Sequence, residues 1–253
     1  MPPRNFAGGE AAVVVDVLRA TSVITTSLAS GADRVITVAD IESAKARAEH
    51  ERCEGRNVLL CGERKCQRIE GFDRGNSPSE YENDESVDTI VLTTSNGTVA
   101  MESVAAADAL YAASVLNAEA VVAALEWHRD VHLIASGTEG FATAEDILLC
   151  GVLARALIQA NDRPWFCDDG TEIAMQSCPL DLAPVRHDDW WRDRLRRSLG
   201  GRNLIQRGHE ADIDRCGRWS VHAVLPTRIG NRPLTFAADG SGRSGMIGGT
   251  PSV

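Results

Sequence analysis

Carboxylates, hydroxyls, amides and guanidinium groups recur in this sequence where apolar runs break into polar turns, and their types define the chemistry open to it. Asp16 directly follows the valine-rich run at residues 11–15, and Arg19 stands three residues later. A carboxylate at the end of a buried strand can bind a cation, move a proton, attack as a nucleophile, or cap the next helix. Position 18 is Leu18, so no second carboxylate stands two residues on to serve an attacking aspartate as general acid. A guanidinium beside a helix start can grip a phosphate or sulfonate through paired N–H groups, with free helix amides adding to the attraction. Residues 62–79 show neither helical nor alternating periodicity, yet they carry Glu63, Arg64, Glu70, Asp73, Asn76 and Ser77. Ordered loops longer than ~12–15 residues are uncommon inside compact domains and are usually functional when not disordered. This stretch therefore reads as a site loop, with Glu70 and Asp73 available for metal binding or acid–base work and Arg64 for an anion. The turn Thr94-Ser95-Asn96-Gly97-Thr98 offers hydroxyls, an amide and backbone N–H groups at a strand-to-helix junction. It is a candidate anion cradle without the GxxxxGK[ST] pattern of a P-loop.

Asp16, Glu70, Asp73, Glu145 and Asp146 together form a pool of hard oxygen ligands. Magnesium suits such a pool, because it takes few carboxylates and completes its shell with water and substrate phosphate. The six histidines form no HExxH pair and no GxSxG elbow occurs. Seven cysteines include no CxxC and only one close pair, Cys61 and Cys66, so free thiols in a reducing cytoplasm are expected rather than zinc or disulfides.

The elements that must position these groups follow from apolar patterning. Strands are expected at residues 11–15, 34–38, 58–61, 89–94, 109–112 and 131–135, with helices between them. Asp40 is a suitable cap for the helix at 41–53, and Thr143 with Asp146 resembles a capping box opening the helix to residue 160. Alternating strands and helices imply an α/β chain, with helices on both faces of a mostly parallel or mixed sheet. The polar turns after three strands would then converge at the carboxyl edge, where ligands bind in open parallel sheets. Residues 161–189 are turn-rich. An amphipathic helix is expected at 190–199, a short helix at 212–216 and a strand at 221–225. A single domain over residues 8–236, or two intertwined α/β halves, is expected, with a disordered glycine- and serine-rich tail at 237–253.

The 253 residues are 43% hydrophobic and carry a net charge of -10. That charge argues against nonspecific nucleic-acid binding, which needs a basic face. No apolar run reaches the ~20 residues of a membrane helix. A small anionic substrate remains compatible, as does a homo-oligomer.

Several segments, taken in order, resemble one family: DVLRATS at residues 16–22 (with Asp16, Arg19 and Thr21), GER at 62–64, IEGFDRGNSP at 69–78, TTSNGT at 93–98, and Glu145-Asp146. The chain is similar in these to the 2-phosphosulfolactate phosphatases, the ComB family. The resemblance implies a three-layer α/β/α fold and a magnesium-dependent phosphatase. Its substrate would be 2-phospho-3-sulfolactate, a metabolite of coenzyme M biosynthesis or sulfolactate metabolism. Phosphate and sulfonate would be held by Arg19, Thr21, Arg64, Asn76, Ser77 and residues 94–98. A phosphatase for another small phosphorylated hydroxy acid, or a non-catalytic anion-binding domain, would carry the same residues.

Overall fold

The computed structural model describes residues 6, 8–82, 87–160 and 162–239. Strand β1 (Glu10–Val15) is buried over all but its first residue, as its valine run requires. The polar turn at residues 16–19 leads into helix α1 (Ala20–Ala29), which is also buried along nearly its whole length. The chain continues through β2 (Arg34–Thr37), α2 (Ile41–Cys53), β3 (Val58–Arg64), β4 (Gln67–Arg68), β5 (Thr89–Thr93) and α3 (Gly97–Ser103). It then forms β6 (Ala109–Ala113), α4 (Ala118–Leu125), β7 (Asp130–Ala135) and α5 (Ala144–Ala160). Four helices follow: α6 (Asp169–Gln176), α7 (Asp188–Arg197), α8 (Leu199–Gln206) and α9 (Glu210–Cys216). The hairpin β8 (Pro226–Asn231) and β9 (Leu234–Ala238) closes the described chain. Asp40 caps α2 as expected, accepting from the Ser43 N–H at 2.8 Å.

The strands form one nine-stranded mixed sheet in the order β4-β3-β5-β2-β9-β8-β6-β1-β7. Successive side chains of a strand point to opposite faces. Ala12 and Val14 of β1 meet Val23 and Ile24 of α1 and Met101 of α3. Ala11, Val13 and Val15 meet Val121 and Leu125 of α4 and Leu149 and Leu153 of α5. The same apolar cluster takes in Trp191 of α7, Leu204 of α8 and Ile213 of α9. Helix α2 packs through Ala44 and Ala48 against Ile36, Leu60 and Val91. Helices thus cover both faces, giving three layers.

The strand directions differ from those of an open parallel sheet. β3, β5 and β2 run parallel to one another, as do β6, β1 and β7. Between the two sets lie three antiparallel junctions, β2 with β9, β9 with β8, and β8 with β6. Three reversals leave the two sets formally opposed. Sheet twist brings them back toward a common side: β5 and β1 are five strand-to-strand steps apart, and at ~20–25° per step the accumulated rotation is ~100–125°. The carboxyl ends of β1 and β5 can therefore face the same cleft.

Other departures from the sequence expectation are local. β3 runs on to Arg64 and folds back through Lys65 and Cys66 onto β4, so the supposed structureless loop begins as a hairpin. Residues 221–225 are not a strand; they run beside the turn at 115–116, with the His222 N–H donating to the Leu116 carbonyl, and ladder pairing starts only at Pro226. Helix α6 stands where turns were read, and α8 where no element was expected. Ala237 and Ala238 belong to β9, and residues 240–253 lie outside the described residues.

Candidate active site

The turns after β1, β3, β5 and β7 and the face of α8 enclose a cavity of about 420 Å³, lined among others by Asp16, Arg19, Glu63, Asn76, Thr94, Ser95, Asn96, Glu139 and Gly200. That volume is in the lower part of the ~300–1,000 Å³ range of small-molecule sites.

Asp16 sits at its floor, 7% exposed. Its Oδ1 accepts the Ala20 N–H at 3.1 Å, and Thr21 locks the turn by donating its hydroxyl to the Asp16 carbonyl at 2.7 Å. Gly97, the first residue of α3, presses against this carboxylate: a Cβ there would fall 2.5 Å from Asp16 Oδ2. Burial raises the Asp16 carboxyl to about 6; the Ala20 N–H and Ser136 hydroxyl oppose the rise, and the charges of Glu63 and Glu145 add to it.

Asp146 serves a different end. Its Oδ1 accepts from the Val17 N–H at 2.9 Å, and its Oδ2 from the Gly137 N–H, the Ser136 hydroxyl and the Thr143 hydroxyl at 3.0, 3.1 and 3.2 Å. With both oxygens occupied, it ties the turns after β1 and β7 to the start of α5. Burial, then Asp16 and Glu145, push its carboxyl well above the usual range. Glu145 is 3% exposed and its Oε2 is buried without a hydrogen-bond partner. Burial raises this carboxyl too, with Ser198, Gly200 and Thr143 opposing. A Cβ at position 200 would meet Glu145 Oε1 at 2.1 Å, so any larger residue there would have to push this buried carboxylate aside.

Arg19 lines the cavity and is 3% exposed, paired with buried Asp212 of α9. Asp212 also accepts from Ser77, which links the far end of the long loop to Arg19 through one carboxylate. Asn76 lines the cavity beside it, its Oδ1 buried and without a partner. In the 94–98 turn, Thr98 donates its N–H to Thr94 Oγ1 at 3.2 Å, and the Ser95 N–H donates to Glu63 Oε1 at 2.8 Å. Asn96 Oδ1 accepts from the Glu139 N–H at 3.2 Å. Much of this donor-rich turn is thus spent on protein partners.

Three predicted residues lie elsewhere. Asp73 is exposed; its carboxylate accepts the Leu60 N–H at 2.8 Å and pairs with Arg52 at 3.0 Å, clamping the loop to the edge of β3. Glu70 is exposed in the turn before it. Neither Glu70 nor Asp73 lines the cavity, because the β3–β4 hairpin carries the middle of the loop outward. Arg64 points along the sheet, donating to the carbonyls of Glu63 and Ala39 and to Thr93 Oγ1. Conversely, Glu63, Asp212 and the face of α8 belong to the site without having been assigned to it. Glu63 adjoins Arg64 in the GER segment, which was the available signal; Asp212 and α8 come from the half of the chain that carried none.

Among the described residues, no group of three or more His, Cys, Asp or Glu side chains is drawn together as a ready ligand set. The donor chemistry nevertheless fits a hard cation. Asp16 and Glu145 are buried carboxylates that repel each other, and one Glu145 oxygen lacks a donor. Magnesium needs only one or two carboxylates beside water and phosphate, and Asp16 and Glu145 are the two that Asp146-type hydrogen bonding leaves available.

Comparison with known proteins bears on this cavity. A family model described as 2-phosphosulpholactate phosphatase matches residues 2–230. A probable 2-phosphosulfolactate phosphatase of Thermotoga petrophila is 40% identical over 220 residues, 86% of this chain and 88% of its own. Proteins described in the same words from Pseudothermotoga lettingae and Symbiobacterium thermophilum are each 37% identical, over 224 and 230 residues. These spans are 87% and 89% of this chain, and 90% and 94% of theirs.

Proposed function

The chain belongs to the 2-phosphosulpholactate phosphatase family, and from that premise we propose that it is a magnesium-dependent phosphatase hydrolysing 2-phospho-3-sulfolactate to 3-sulfolactate and phosphate. One observation carries the reading. Asp16 and Arg19, Glu63, Asn76, and Thr94 with Ser95 and Asn96 come from four separate sequence segments, each with the family's pattern, and they line one cavity.

The charges explain the need for a cation. Asp16 and Glu63 line the cavity, the charge of buried Glu145 reaches Asp16 from behind it, and Arg19 is already balanced by Asp212. A phosphate dianion meets net repulsion there unless positive charge is added. Asp16 and Glu145 would hold the magnesium, which when bound would supply that charge and polarise the phosphoryl oxygens. Arg19, held by Asp212, which Ser77 fixes in turn, grips the phosphate from a set position, so little reorganisation is needed as charge shifts during transfer. Asp16, beside the phosphoryl group, moves the proton that water gives up toward the leaving alkoxide as the ester P–O bond breaks. Glu63 fixes the Ser95 N–H and, through the Cys66 N–H at 2.8 Å, the hairpin turn at the rim. All seven cysteines are free thiols, and no described helix is long and apolar enough to cross a membrane. Both fit work in the cytoplasm, in sulfolactate or coenzyme M metabolism.

Purified protein should release phosphate from 2-phospho-3-sulfolactate, stop with chelator and recover with Mg²⁺. Absence of turnover, or turnover indifferent to chelator, would sink the proposal.

A further inference from the structure

The floor of the cavity accounts for the phosphate but not for the rest of the substrate. Arg64 is turned away along the sheet, and Arg19, paired with Asp212, is taken by the phosphate in the reading above. The remaining wall comes from the second half of the chain. Leu199, Gly200, Asn203, Gln206 and Arg207 all line the cavity. Their spacing, at i, i+1, i+4, i+7 and i+8, is that of a single stripe along α8 and its C-terminal cap. The stripe starts beside Glu145, where Gly200 approaches its carboxylate, and runs outward to Arg207.

Opposite stands the β3–β4 turn. Lys65 and Cys66 take φ of +52° and +63°, left-handed values usually given to asparagine and glycine in two-residue hairpins. Both residues line the cavity. Burial raises the Cys66 thiol, the charge of Arg19 lowers it, Glu63 raises it and Arg207 lowers it, so this turn lies within reach of both arginines. Lys65 and Arg207 are exposed at the cavity mouth, and neither side chain makes a hydrogen bond or ion pair among the described residues. Two cations without a partner among the described residues thus stand at the outer end of a cavity whose inner end is acidic.

Building on the phosphatase reading above, we propose that Arg207, with Asn203 and Gln206 on the same face of α8 and Lys65 on the facing turn, forms the subsite for the non-reacting sulfonate. This subsite sets the preference for sulfonated over plain phosphorylated hydroxy acids. Its contacts are the same in ground and transition state, so it acts on KM rather than kcat.

The test measures Arg207→Gln, Lys65→Gln, the double variant and Arg207→Lys beside the wild type, on 2-phospho-3-sulfolactate and on phospholactate, which lacks the sulfonate. Both positions are exposed, and unchanged thermal melting checks the fold. Arg207→Gln should raise KM for the sulfonated substrate on the order of 10- to 100-fold, the scale of a lost charged hydrogen bond, with kcat within about twofold. KM for phospholactate should stay unchanged, and Arg207→Lys should recover part of the loss. A wild type that prefers the sulfonated substrate, with the preference intact in the double variant, overturns the subsite and leaves the phosphatase reading standing. So does a wild type with no preference, or equal defects on both substrates, as expected if Arg207 only complements the end of α8. A wild type inactive on both substrates overturns the phosphatase reading, and the subsite falls with it.

Discussion

A methyl group added at Gly97 would sit 2.5 Å from Asp16 Oδ2 and 2.6 Å from Ala20 Cβ. Ala20 sits in a buried helix and its Cβ cannot retreat, so the Asp16 carboxylate, held at Oδ1 by the Ala20 N–H, is what must move. Gly97→Ala should therefore displace the carboxylate and cut kcat by roughly 100-fold, the cost of a ~1 Å misplacement. Asp16→Asn, which keeps the shape and removes the charge, should do at least ~100-fold damage. Kinetics beside thermal melting decide both cases: normal turnover in a folded variant would remove Asp16 from the chemistry. Asp73 gives the contrasting expectation. Its carboxylate clamps Leu60 and Arg52 at a partly exposed edge, so Asp73→Asn should leave kcat within about threefold. It should cost about 1 kcal/mol of stability in urea unfolding, as for one weakened exposed hydrogen-bonded pair. From the sequence, Asp16 and Asp73 looked alike, each an acidic residue in a polar turn. Only the path of the hairpin separates them.

Among the elements, α2 is anchored to β2 by charge as well as by Ala44 and Ala48. Glu51 has no side-chain exposure and meets Arg34, Arg47 and Arg56. Burial opposes its ionisation, but the Arg56 hydrogen bond and the charges of Arg34, Arg47 and Arg56 outweigh it, so its carboxyl lies below the ordinary 4.5. A lowered folded-state pKa contributes stability that is present above 4.5 and is lost as pH falls through the folded value. Glu51→Gln should cost about 2 kcal/mol at pH 7. That is below the ~3–5 of a fully buried pair, because the arginines are 28–31% exposed. The cost should shrink in acid, and a variant equally weakened at pH 7 and pH 3 would show that packing, not charge, is at issue. α2 was legible because Asp40 caps it and Gly55 follows it. The β3–β4 hairpin was not, because Lys65 and Cys66 lack the asparagine–glycine signature of their turn. Helix α8 was obscured by Gly200 and Gly201, and with it the whole outer wall of the cavity.

For the whole molecule, the decisive element is the β8–β9 hairpin, which fills the seam between two three-stranded parallel sets. Three-layer packing was readable from alternating strands and helices. The seam was not, because pairing partners so distant in sequence leave no local pattern. Phe236 is fully buried in the cluster around α1 and α3, and Phe236→Ala should cost about 3–5 kcal/mol. Because the seam joins both sets, one cooperative transition should shift as a whole in denaturant. Separate melting of the two sets would contradict a single sheet.

That seam is also made last. Roughly 110 residues separate the end of β6 at Ala113 from the start of β8 at Pro226. At ~5–20 residues per second, a ribosome needs on the order of 5–20 s to cover them. Throughout that interval the nascent chain holds β2 and β6 with open hydrogen-bonding edges, the kind of surface on which chains pair wrongly with one another. The yield of active protein should therefore depend on how well each emerging chain is kept from its neighbours until its final hairpin arrives.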